Sequence, residues 1–227
     1  MIKELQDLEH ELAKLPNGYL VRRGKAYYHK VSDKETGITK QPDKIKQLAR
    51  KKYVLARMAQ LQGVNEQLSA PKLIATLGGA YRDLPQDYFY HPEIREWQDK
   101  KFPKNSRYAK DLIYPNRNGV LMRSKSEVMI SNLLDMYKIP YHYETLLFLG
   151  ERHFHPDFTI KNPYTGKFII WEHFGLLNKP GYVESMEEKM ACYYNHGYKA
   201  FDNFIFTFEF DLKNPERMRQ IIEEIIL

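Results

Sequence analysis

Cysteine is nearly absent: Cys192 is the single one in 227 residues. That excludes an intramolecular disulfide framework and a Cys-rich zinc site. No apolar run approaches the roughly 20 residues a membrane-spanning helix needs, and no basic-then-apolar start suggests a signal peptide. The expectation is a cytoplasmic protein with no membrane partner. No Gly-rich loop ending in Lys-Ser/Thr is present, so any ATP-driven partner would be a separate chain. Internal repeats and low-complexity tracts are missing as well.

What is present can fold. Hydrophobic residues make up 43% and aromatics 14%, enough for a real core in one large domain or two small ones. Charge is unevenly spread. Residues 1–105 hold 20 Lys/Arg against 13 Asp/Glu, whereas residues 106–227 hold 15 against 16. A basic N-terminal region, 1–105, therefore precedes a second domain, 106–227, that holds the acids. A basic half beside an acidic site suits a polyanion such as nucleic acid. Ordinary surface charge for solubility is the plain alternative.

In the first region, Leu5, Leu8, Leu12 and Leu15 recur at 3-4-3 spacing. They predict an amphipathic helix over 2–15, stopped by Pro16-Asn17-Gly18. Residues 19–40 predict a strand pair around Arg22-Arg23-Gly24-Lys25, with a second turn at Glu35-Thr36-Gly37. Aromatics interleaved with Arg22 and Arg23 are suited to backbone contact and base stacking. Residues 43–62 predict a helix with an apolar stripe of Ile45, Leu48, Leu55, Met58 and Leu61. Its cations, Lys44, Lys46, Arg50, Lys51, Lys52 and Arg57, form the densest basic cluster in the chain. They are either a solvated face or the lining of a nucleic-acid channel. A further helical segment is expected over 64–84, and residues 85–118 read as an irregular linker.

The second domain centres on His153–Gly175. FHPDFTI and KFIIWEHF alternate like strands, joined by the turn Asn162-Pro163-Tyr164-Thr165-Gly166. A hairpin brings its strands to about 4.8 Å, so Asp157 and Glu172 on one face could share a hard cation such as Mg²⁺. Glu172 follows Ile169-Ile170-Trp171, where a carboxylate is costly unless something pairs with it. Around this hairpin the patterns predict a helix from Ser124 to about Lys138, a strand over Tyr141–Leu149, a helix over Gly181–His196 and a strand over Asn203–Phe210. A last helix begins at Pro215, with Met218, Ile221, Ile222 and Ile225 inward.

The order helix, three strands, helix, strand, with Ser126-Glu127, Pro156-Asp157-Phe158 and Trp171-Glu172-His173-Phe174-Gly175 placed on it, resembles the PD-(D/E)XK nuclease superfamily. Glu-His-aromatic-Gly is similar to a variant third motif in some helicase-linked members. Lys189-Met190-Ala191-Cys192-Tyr193 resembles the Gln-xxx-Tyr element of the recombination-type branch, with Lys in place of Gln. The resemblance covers residues ~120–212 and rests on order and spacing, since no single motif is specific. It implies an α/β (α+β) fold with a restriction-endonuclease-like αβββαβ core behind a basic helical and hairpin region. It also implies a metal-dependent nuclease, a deoxyribonuclease cutting DNA in preference to RNA. Asp157 and Glu172 would hold Mg²⁺ or Mn²⁺ with the main-chain carbonyl of His173, and Glu127 would approach from the helix. The lysine usual two residues after the third-motif acid is replaced by Phe174. Lys189 is the expected substitute, with Tyr193 on the same helix face. The His173 side chain should point to the opposite face from Glu172. A dimer would let one site per chain cut both strands.

Other readings compete at each position. Ser124-x-x-Glu127 is also a capping box. His153, His155 and Asp157 form H-x-H-x-D, a partial likeness to the metallo-β-lactamase zinc signature. A non-catalytic DNA-binding module on the same fold is the alternative from another class.

Overall fold

The computed structural model describes residues 2–61, 84–103, 105, 107 and 109–226. It divides into two compact units, Met1–His91 and Pro92–Ile226. The boundary falls earlier than the expected 105/106. The reason lies in helix Ile94–Asp99, which buries Ile94 and Trp97. Within the second unit, the Trp97 carbonyl accepts from His142 Nε2 at 3.0 Å. Its ring meets His142 and Phe168 edge-on. The helical segment expected over 64–84 lies, apart from Leu84, outside the described residues.

The first unit runs α1 (Ile2–Lys14), β1 (Tyr19–Arg23), β2 (Ala26–Val31), β3 (Lys34–Gly37), α2 (Pro42–Leu61). The strands form an antiparallel meander in the order β1-β2-β3. Gly18 makes the entry turn with φ +81°, and a Cβ there would stand 2.2 Å from the Lys30 carbonyl oxygen. The second turn is at Ser32-Asp33, with Ser32 at φ 52°, while the expected turn residues Glu35–Gly37 pair with β2. Helix α2 buries Ile45, Leu48, Ala49, Tyr53 and Val54, whereas Leu55 is exposed. The stripe is turned from the expected one because Tyr53 and Val54 carry more apolar surface inward than Leu55 would.

The second unit is a mixed α/β structure. Following α3 (Ile94–Asp99), short strands β4 (Tyr114–Pro115) and β5 (Leu121–Met122) pair as a hairpin. Helix α4 (Lys125–Met136) starts at its Ser124 cap. The next elements are β6 (Tyr141–Tyr143), β7 (Leu147–Leu149), β8 (Arg152–Phe154), β9 (Phe158–Lys161) and β10 (Phe168–Phe174). Helix α5 (Tyr182–Asn195), β11 (Phe204–Phe208), α6 (Glu209–Leu212) and α7 (Pro215–Gln220) follow, and a π turn, Ile221–Ile226, ends the described chain. The main sheet has the order β11-β10-β9-β6. Its β6, β9 and β10 are antiparallel and β11 lies parallel to β10.

The expected single strand Tyr141–Leu149 is broken. Glu144 takes φ 48°, which turns the chain out of the sheet. The segment beyond it pairs with Arg152–Phe154 as a separate hairpin, β7–β8. The expected strand FHPDFTI is divided as well: Phe154 ends β8, residues 155–157 lie between strands, and Phe158–Ile160 belong to β9. The strict Phe alternation of β11 puts Phe204, Phe206 and Phe208 on one face, where they pack ring against ring. Beneath α5 that face forms a cluster of Leu149, Ile170, Cys192, Tyr193 and Phe204. Each large side chain buried there contributes about 1.5–3 kcal/mol. On the opposite face Trp171 is wholly buried, and its Nε1 donates to Thr207 Oγ1 at 2.9 Å. The π turn brings Ile226 rather than the expected Ile225 into the core. Among the described residues no helix is long and apolar enough to cross a membrane.

Candidate active site

Register places the two acids. Trp171 in β10 pairs with Phe158 in β9. Extending that register by one step aligns Glu172 with Asp157, the residue just before β9. Directly opposed residues of an antiparallel pair share a face. The His173 backbone N–H donates to Asp157 Oδ2 at 2.7 Å, and the Asp157 carbonyl accepts from Glu144 N at 3.1 Å. Asp157 is therefore held by the backbone on either side of it, at His173 and at Glu144.

Helix α5 packs over that face and brings two side chains one turn apart. Lys189 Nζ lies 2.7 Å from Glu172 Oε1. The Tyr193 hydroxyl donates to the same Oε1 at 2.5 Å. Glu172 is 1% exposed, so these two donors explain how an acid persists in an apolar strand.

One ammonium faces two carboxylates, and the imbalance shows in the proton affinities. Asp157 is held well above the usual carboxylate range, first by loss of water around it and then by the charge of Glu172. Burial opposes the charge on Lys189, yet Glu172 and Asp157 outweigh it and hold the ammonium above its ordinary range. Tyr193 is raised by burial and by Glu172.

Tyr182, the first residue of α5, was not expected at this site. Burial raises its phenol, the charges of Asp157, Lys189 and Glu172 act on it, and the Gly175 backbone bonds it. A signal was present. Tyr182, Lys189 and Tyr193 are spaced by seven and four, one face of a helix.

Glu127 is bonded into the start of α4. It is the N3 residue of α4, and its backbone N–H donates to Ser124 Oγ at 3.1 Å. Its Oε1 accepts from Ser124 Oγ, and its Oε2 accepts from Arg123 N and the Tyr143 hydroxyl. It is a cap acid whose charge Asp157 feels. His173 turns its ring to the opposite face, where Nδ1 meets Thr207 Oγ1 and Nε2 meets Glu209 Oε1, both at 3.1 Å. The H-x-H-x-D residues do not converge. His155 Nδ1 bonds the Glu144 carbonyl, and among the described residues no three His, Cys, Asp or Glu side chains form a ready metal-ligand set. The residues that could hold a cation are thus a pair, Asp157 and Glu172. Lys189 also lines a cleft of about 1050 Å³, with Arg107, Arg123, Arg152, Glu144 and Glu188 among its other charged residues; neither acid of the pair lines it.

The basic cluster of α2 is corrected. Arg50 is 3% exposed. Its guanidinium is paired with Glu11 at 2.6 Å and also donates to the Phe89 carbonyl, so no phosphate can reach it. Arg57 pairs with Glu4 at 2.9 Å, and Lys51 donates to the Pro16 carbonyl. Burial lowers Lys52 below its ordinary value. Arg50, Lys51 and Arg57 fasten α2 to its own unit rather than form a free basic face. On the β1–β2 hairpin, Arg22 donates to the Gly24 carbonyl and Arg23, with its side chain 65% exposed, pairs with Glu35. Comparisons with protein-family models, curated proteins and solved structures find no match to this chain.

Proposed function

We propose that the protein is a metal-dependent nuclease of PD-(D/E)XK type that hydrolyses phosphodiester bonds, with DNA as its substrate. The observation that carries the reading is Asp157 opposite Glu172 with Lys189 bonded to Glu172 from the next helix. The order α4, β6, β9, β10, α5, β11, with β11 parallel to β10, supports a restriction-endonuclease-like core.

The site fits a hard divalent cation. Two opposed carboxylates offset by one ammonium leave negative charge over, and the raised proton affinity of Asp157 expresses it. Mg²⁺ commonly takes one or two carboxylates and keeps several waters. Asp157 and Glu172 would hold it, with the His173 main-chain carbonyl as a further donor. The bound cation would polarise the phosphate and make its water more acidic. Lys189 offsets negative charge gathering on the phosphate oxygens, as a preorganised electrostatic stabiliser. Tyr193 fixes the orientation of Glu172 through Oε1. Glu127 holds the start of α4 and acts on the site through its charge.

The test is cleavage of single- and double-stranded DNA and RNA with Mg²⁺, Mn²⁺ or chelator, comparing wild type with Glu172→Ala. Cutting that needs metal and is lost in the variant is expected. A wild type that binds DNA in a salt-dependent way but cuts nothing would replace the reading with a non-catalytic DNA-binding module.

A further inference from the structure

The hairpin β7–β8 has two unlike sides. Its inner side is anchored: Leu149 belongs to the cluster with Ile170, Tyr193 and Phe204, and Leu147 and Phe154 pack against it. Its outer side carries Phe148 directly across from His153. Their ring centroids lie 6.4 Å apart. Phe148 is 67% exposed. At that exposure its ring gains little from burial and contributes little to folding.

Phe148 and His153 line the same cleft as Lys189 and Arg152. An aromatic step flanked by cations is what a nucleic-acid strand with uncovered bases requires. The bases stack on the rings and the phosphates meet the cations. In a duplex, neighbouring bases already cover each base face, so this ring could reach only an unpaired base. The geometry points to β7–β8 as a stacking platform that makes the cleft select single-stranded over double-stranded DNA. The identity of the polymer rests on the nuclease reading; the preference for an unpaired base rests on the hairpin.

The experiment measures binding of the full chain, in chelator, to a short labelled oligonucleotide, single-stranded and as its duplex. Phe148→Ala is expected to weaken single-strand binding by roughly 5- to 150-fold, the range of one base–aromatic stack, while duplex binding changes by less than about twofold. Phe148→Trp should retain the preference. The salt dependence should not change, since no charge is removed. Equal loss on both substrates, no loss on either, or no single-strand binding by the wild type would overturn the platform. Cutting is scored apart, by its sensitivity to Glu172→Ala. Metal-dependent cutting with Phe148→Ala inert in binding overturns the platform and leaves the nuclease. Phe148-dependent single-strand binding without cutting supports the platform and removes the nuclease.

Discussion

Asp157→Asn should stabilise the metal-free protein. The carboxyl stands opposite Glu172, and its charged form is disfavoured by burial and by that neighbour. Two unit charges about 5 Å apart at an effective dielectric of about 20 repel by roughly 3 kcal/mol, and the ammonium of Lys189 cancels part of this. A gain of about 1–3 kcal/mol is expected, and Asn keeps an oxygen for the His173 N–H. The pH dependence has a fixed sign. An acid whose folded pKa is raised contributes stability below its unfolded pKa of about 3.9 and loses it as pH rises through the folded value. The gap between variant and wild type should therefore open above about pH 4, by at most about 1.4 kcal/mol per pH unit. Both tryptophans, Trp97 and Trp171, lie in the second unit, so their emission on heating reports that unit alone. At neutral pH in chelator the variant should melt about 2–10 °C higher. Added Mg²⁺ should raise the wild type and not the variant, narrowing the gap by ligand linkage. A variant that melts lower in chelator refutes the reasoning, because Asp157 would then be a structural acceptor and not a strained charge.

Lys189→Ala should reduce cleavage by about 10²–10³, the usual loss for an electrostatic stabiliser, measured at saturating metal on protein shown to be folded. Tyr193→Phe, which keeps the ring and removes the bond to Glu172, should cost about 1–3 kcal/mol by thermal melting. Arg50→Ala should destabilise the first unit by about 3–5 kcal/mol, since it strands Glu11; chemical denaturation followed by circular dichroism reads this, and the salt slope of DNA binding should not move. Arg23→Ala, by contrast, should lower that salt slope by about one if the hairpin touches phosphate.

Local pattern made much of the second unit legible before any coordinates. Phe204, Phe206 and Phe208 alternate, and their strand is where the alternation places it. Glu172 stood out because an acid after Ile169-Ile170-Trp171 is costly, and it proves to be paired twice. What local pattern missed depends on contacts distant in sequence or on rare backbone states. The apolar run of Tyr141–Leu149 continues through Glu144, and only the positive φ of that residue reveals two strands in different sheets. Arg50 looks like a surface cation until Glu11, far off in sequence, is beside it. Ser124-x-x-Glu127 admitted both a cap and a site role, and the cap holds both carboxylate oxygens.

That the cation comes to the acids from α5 and not from β10 follows from packing. Residue 174 lies two along from Glu172, so a side chain there shares the face of Glu172. That place is taken by Phe174, which is 4% exposed and packs 6.2 Å from the ring of Phe208. A lysine in such surroundings would lose its water with aromatic rings for company, and burial of that kind drives the ammonium toward its neutral form. From α5 the approach differs. The side chain of Lys189 stays 25% exposed, and its Nζ reaches Glu172 from the helix. Charge reaches the acid pair without crossing the aromatic layer. The all-Phe face of β11 and the helix-borne lysine are thus one solution: the strand keeps position 174 for the core, and the helix that covers the core brings a cation to the acids.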